Sequence, residues 1–166
     1  MVEREIENLI LEDIKKRFNL SAEKISISEI HRADFPPGLK FFRAEKRRSY
    51  GNIFYNYIMA SGEIYCSSDE TAFQRLIASE KLLERRHWNA QQFAALFLRL
   101  VVHLRDLKLV ESADELVGQD EPVTSPELSI TDSGVNATFW TYQIRYQKLD
   151  RWHVQVGADY SVSWER

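Results

Sequence analysis

Apolar residues near the start of the chain recur at helical spacing. Val2, Ile6, Leu9, Ile10, Ile14 and Phe18 form one stripe. Glu3, Glu5 and Glu7 occupy the first turns and Lys15, Lys16 and Arg17 the last, a polarity that suits the helix macrodipole at both ends. The spacing predicts a helix over residues 2–18 that stops at Asn19. The period then changes to two. Ile25 and Ile27 alternate with serines, and Ile30 breaks the phase, which predicts a bulge. Pro36-Pro37-Gly38 ends that strand, because proline cannot donate to a ladder. Residues 39–48 and 52–60 read as a hairpin around Ser49-Tyr50-Gly51. Ser61-Gly62 turns the chain into a short strand over 63–66. The middle strand is apolar on both faces, with Ile53, Tyr55, Tyr57 and Met59 on one and Phe54, Ile58 and Ala60 on the other, so it should be central and covered.

Ser67-Ser68-Asp69-Glu70 has the form of a capping box and is expected to open a helix carrying Phe73, Leu76, Ile77 and Leu83 inward. Asn89 is expected to cap a second helix that runs to about residue 110. Its stripe is Phe93, Leu96, Phe97, Leu100, Val101, Leu104 and Leu107, widened by Ala94, Ala95, Leu98 and Val102. A helix this apolar is buried on most sides or lies in an interface. In the C-terminal third, Thr138, Trp140, Tyr142, Ile144 and Tyr146 alternate on one strand. Trp152, Val154, Val156, Ala158, Tyr160, Val162 and Trp164 alternate on the next. Keeping both sets on one face requires an odd loop, and Lys148 to Asp150 supplies three residues. Tyr146 is then expected opposite Trp152, and Phe139 on the polar face.

Helices are segregated from strands, which predicts an α+β fold. The expected form is a curved antiparallel sheet of about six to seven strands packed on helices. The N-terminal helix is followed by a meander, two middle helices and a long C-terminal hairpin. A length of 166 residues suits a single domain, 1–166. Residues 111–127 hold six acidic side chains and no basic one, with Gly118, Pro122 and Pro126, and read as a mobile acidic loop. Outside that segment 22 basic residues face 19 acidic ones, although the whole chain has a net charge of −3. The balance gives no general case for nucleic acid or an anionic membrane, so nucleic acid is an unlikely partner. The early glutamates do not resemble a basic, then apolar, signal peptide. The most apolar window, 93–109, is interrupted by charge well short of the ~18 residues a spanning helix needs. A cytoplasmic chain with no membrane attachment is expected. The lone Cys66 excludes an internal disulfide and a cysteine-based zinc cluster.

The familiar phosphate-binding, zinc-protease and serine-hydrolase motifs are absent, and His31, His87, His103 and His153 are far apart, so no metal or cofactor is expected. Cys66, before a helix start, reads as a small buried hydrophobe. Four sets of residues merit attention. Arg99, His103 and Asp106 share one helix face, where Asp106 would orient His103 as a general base. Otherwise they form the helix's solvated stripe. Arg43, Arg47 and Arg48 lie among Phe41, Phe42 and Tyr50, a blunted hairpin tip rather than the single-strand nucleic-acid platform such residues can form, with a docking patch for an acidic partner as a third reading. Trp88, after Arg85-Arg86-His87, is a further candidate anchor for a partner. Trp140, Tyr142 and Trp152, with His103, would line a cavity for a small apolar ligand if they do not simply pack the core.

The leading expectation is therefore a non-enzymatic protein-interaction or regulatory domain. It is expected to form a homodimer through the apolar helix or the aromatic sheet. Two alternatives remain: a binder of a small apolar ligand between sheet and helix, and a roll-type enzyme using His103 and Asp106.

Overall fold

The computed structural model describes residues 3–19, 24–102, 107–112 and 123–166. The fold is α+β, as the segregation of helices and strands predicts. The strands form two antiparallel sheets, of four and five strands, where one sheet of six or seven was expected. The chain resolves into two compact units, residues 1–72 and residues 73–166.

Unit 1 begins with α1 (Glu3–Phe18), followed by β1 (Ile25–Ile30), β2 (Lys40–Lys46), β3 (Ile53–Ala60) and β4 (Glu63–Cys66). The strands pair in chain order, each antiparallel to the next. Ile6, Ile10 and Ile14 of α1 are buried against Phe42, Ala44, Tyr55, Tyr57 and Cys66. The helical stripe thus meets the odd face of β3 that the alternation picked out. Leu9, assigned to the stripe, is exposed instead. The bulge expected at Ile30 is absent, because β1 stays in unbroken register with β2 through Ile30↔Phe41. On the opposite face of the sheet Phe41, Ile58, Ala60 and Tyr65 are also buried.

Unit 2 contains α2 (Ala72–Ser79, its first residue at the boundary), α3 (Leu82–Arg85) and α4 (Ala90–Phe97), then the strands β5 (Leu107–Leu109), β6 (Glu127–Thr131), β7 (Gly134–Gln143), β8 (Lys148–Gly157) and β9 (Val162–Glu165). The turn before α2 is closed by Asp69, whose Oδ1 accepts from the Thr71 amide at 2.9 Å and its hydroxyl at 2.8 Å. The Ser67–Glu70 capping box expected there is not the device used. Asn89 does cap α4: its side chain accepts from the Gln92 amide while the Gln92 side chain accepts from the Asn89 amide. The helix expected to reach residue 110 is shorter. It ends at Phe97, passes through a π-helical turn at Leu98–Val102, and Leu107 and Leu109 belong to β5.

Phe97 is the hub of this unit. Its ring meets Phe73, Phe139, Trp152 and Trp164 at centroid distances of 5.5, 5.9, 6.1 and 5.6 Å. The inner sheet face is Val135, Ala137, Phe139 and Thr141 of β7 with Trp152, Val154 and Val156 of β8. Phe139, expected on the polar face, is therefore core.

Candidate interaction surface

The β7–β8 register explains that reversal. Gln143 pairs with Lys148, and the loop between them has four residues, 144–147. An even loop pairs odd positions with even ones, so Phe139 lies opposite Trp152. The expected odd loop, with Tyr146 opposite Trp152, would have placed the even residues inside. Ile144–Tyr146 instead form a single 3-10 turn, closed by Gln147 in the left-handed region (φ 48°), whose amide donates to the Ile144 carbonyl at 3.3 Å.

The consequence is an apolar tip. Ile144 and Tyr146 are 63% and 64% exposed. Arg145 lies between them in sequence, its guanidinium carbon 5.6 Å from the Tyr146 ring centroid. The next positions on the outer face are Tyr142, directly opposite Leu149 and beside Lys108 of β5, then Trp140 opposite Arg151. The Arg151 guanidinium lies 5.9 Å from the buried Trp140 ring. Arg145, Lys148, Arg151 and Lys108 are all exposed.

Between Trp140 and Arg151 the sequence has one carboxylate, Asp150. It is buried and turned to the inner face, where Lys148 Nζ approaches Oδ1 at 3.1 Å and Arg166 bonds Oδ2. Burial pushes its carboxyl up, but Arg166 and Lys148 outweigh that effect and hold it below the ordinary carboxylate range. Asp150 is thus neutralised from within by Lys148 and Arg166, and Arg145 and Arg151 are the outward charges of the hairpin end. Trp152 Nε1 donates to Thr141 Oγ1 at 2.8 Å behind it.

Among the described residues, the others singled out in the sequence are not brought together. Trp152 points inward while Trp140 and Tyr142 point outward, so the proposed ligand cluster is split across the sheet. Phe97 of α4 packs its ring against Phe139 and Trp152 on the inner face, where the apolar ligand was expected. His103 and Asp106 lie outside the described residues, as do residues 113–122 of the acidic segment. Arg47 and Arg48 are exposed at the β2–β3 hairpin end in unit 1, beside a fully exposed Tyr50. Arg43 is separate from them, half-buried within β2, with its guanidinium 5.5 Å from the Phe54 ring and 6.0 Å from Phe41. Trp88 belongs to unit 2 and is buried.

A polar network in unit 1 leaves no local signal in the sequence, because its members are scattered along the chain. The Tyr57 hydroxyl donates to Asp13 Oδ2 at 2.9 Å, and Arg17 holds both oxygens of Asp13 at 3.1 Å. Burial, with the nearby Cys66 and Asp13, pushes the Tyr57 phenol far up, and burial likewise pushes the Cys66 thiol up. A thiol kept protonated is a poor nucleophile, so this cluster ties α1 to the sheet and offers no activated group. Among the described residues no group of His, Cys, Asp and Glu side chains is placed to hold a metal ion. No described helix is long and apolar enough to cross a membrane.

No family model matches the chain, and neither does any curated protein or solved structure.

Proposed function

We propose that the chain is a non-enzymatic interaction module that docks an acidic segment of a partner protein through the end of its β7–β8 hairpin. One observation carries the reading: Ile144 and Tyr146 stand exposed in a single turn beside the exposed Arg145 and Arg151, and Asp150, the carboxylate within this hairpin end, is turned inward and paired. Tyrosine and arginine are frequent anchors of interfaces, and an exposed apolar group ringed by one sign of charge suits a partner of opposite sign. A second copy of the chain fits less well, since a symmetric contact would set these cations against themselves. The apolar positions of α4, Phe93 to Phe97, are 5% exposed or less and have little left to offer another copy. The cytoplasm is the compartment we expect, in keeping with a single, buried, unpaired cysteine.

The test is fluorescence anisotropy with a labelled peptide in which glutamates flank one phenylalanine. Binding is expected to weaken with salt. It is also expected to fall about tenfold or more when Arg145→Glu and Arg151→Glu are combined, and several-fold in Tyr146→Ala. Wild-type protein that ignores the peptide, or a charge-reversed protein that binds it equally, overturns the proposal. Retention only by oligothymidylate would mark a nucleic-acid surface instead, and retention only by phosphatidylserine vesicles a membrane surface.

A further inference from the structure

Among the described residues the large apolar side chains left exposed are Leu9, Tyr50, Ile144, Tyr146 and Trp164. Leu9 is on a helix, and Tyr50, Ile144 and Tyr146 are in hairpin turns. Trp164 alone of these is on a strand. That strand, β9, is an end of its sheet and pairs, among the described residues, with β8 only. Trp164 lies opposite the buried Val154 and therefore on the inner side, where its ring meets Phe97 edge-on at 5.6 Å. Yet it is 50% exposed, on a strand with no described neighbour beyond it.

The ladder shows which backbone groups of β9 are free. The Gly157 amide donates to the Ser161 carbonyl at 2.8 Å, and the pairing then runs unbroken from Val162 to Glu165. Hydrogen-bonded positions alternate along an antiparallel pair, so Ser161, Ser163 and Glu165 turn their amides and carbonyls to β8. Val162 and Trp164 turn theirs to the open edge. Such an edge is a template for another strand.

The edge is complementary to itself. A two-fold axis through Ser163 would set Val162 of each copy against Trp164 of the other. Both are positions with free backbone groups, so the two pairs exchange four hydrogen bonds. On the inner side a β-branched residue packs on an indole, a favoured cross-strand combination. Glu165 falls opposite Ser161 of the other copy. An axis through Trp164 would instead bring the two Glu165 carboxylates diagonally across the ladder, a like-charge arrangement. Arg166 bonds Asp150 within its own chain and is not needed. We infer that β9 pairs with β9 of a second copy of this chain, antiparallel about Ser163, in an isologous contact that continues the sheet across the axis. So short an overlap makes a weak, concentration-dependent dimer. The contact shares no residue with the hairpin end and goes beyond that reading.

Sedimentation velocity of the full chain over a rising concentration series tests the dimer. A monomer–dimer equilibrium is expected, and it should persist at high salt because no ion pair holds it. Val162→Pro removes an amide that faces the edge and leaves the bonds to β8 in place, so the dimer should weaken about tenfold or more. Ser163→Cys puts two thiols on the axis, at a non-hydrogen-bonded pair with Cα atoms about 4.5 Å apart, within reach of a disulfide. Mild oxidation should link that variant into a covalent dimer and leave Glu165→Cys, which faces Ser161, unlinked. Cys66 is buried and takes no part. The cysteine pair decides should Val162→Pro fold poorly. A chain that stays monomeric, a dimer unchanged by Val162→Pro, or a Ser163→Cys variant that links no faster than Glu165→Cys overturns the inference. Arg145→Glu combined with Arg151→Glu should leave the dimer intact, so a failure at the hairpin end and a failure at β9 read out separately.

Discussion

Phe139 and Trp152 face each other across the β7–β8 ladder with their rings stacked, centroids 6.5 Å apart and planes 15° apart. Phe97 closes on both from α4. Both residues of the pair are almost fully buried, so the pair combines area removed from water with direct ring contact.

The pair gives the first prediction. Phe139→Ala should cost about 3–5 kcal/mol, since it empties a site walled by two other rings. Ile144→Ser and Tyr146→Ser should each stay within about 0.5 kcal/mol, because both side chains already stand in water. Urea unfolding of the three variants decides it. A small loss for Phe139→Ala with large losses for the other two would mean that the even-numbered positions face the core.

That contrast also marks where the sequence stops being informative. The α1 stripe, the β2–β3 hairpin, the turn at Ser61-Gly62 and the Asn89 cap were all legible, because each is set within a few neighbouring residues. The face of β7 was not. Val135, Ala137 and Phe139 on one side and Trp140 and Tyr142 on the other are both apolar, so the alternation carried no sign. One residue more or less in the loop then decides which set goes inside. Asp150 suggested a turn, whereas it is a strand residue buried by two cations. The end of α4 failed for a related reason. Leu107 and Leu109 extend an apolar run that fits a helix as well as a strand. The first of these ambiguities hides the candidate surface, since the alternation alone puts Ile144 and Tyr146 on the core face.

Tyr57→Phe should lower stability by about 1.5–3 kcal/mol, the range for a hydrogen bond to a charged group. The ring is fully buried and would stay, but the Asp13 carboxylate would lose the donor that joins α1 to β3. Arg17 remains bidentate on Asp13, so Asp13→Asn in the Tyr57→Phe background should add less than it does alone. A double-mutant cycle read by thermal unfolding checks this. Strictly additive effects would show that the three residues do not act as one network.

Gly134→Ala should be among the most damaging single changes in unit 2. Gly134 has φ +147°, and a Cβ there would sit 2.1 Å from the Val156 carbonyl oxygen, a backbone atom that cannot swing away. Strain and overlap together put the expected loss at about 3 kcal/mol or more. Gly51 has φ +118° with open space around it, so Gly51→Ala carries backbone strain alone, about 1 kcal/mol. Equal unfolding midpoints for the two variants would contradict this account of the β7 start.

Asp150 predicts the acid limb of the stability curve. Its carboxyl is held below the ordinary range in the folded chain, so the folded state binds its proton less readily than the unfolded state does. Stability from this group is therefore fully present above about pH 4, the ordinary carboxyl value, and is lost as pH falls through the lower folded value. Asp150→Asn should remove that contribution and flatten the fall of stability below about pH 4. Arg166→Ala should flatten it less, because Lys148 still lies 3.1 Å from the same carboxylate. Both variants should also be less stable than the parent at neutral pH, the asparagine variant more so, since it leaves Lys148 and Arg166 without their shared counter-charge. Urea unfolding across the acid range measures each slope. An asparagine variant that loses stability with acid as steeply as the parent would move the origin of that slope to the chain's other carboxylates.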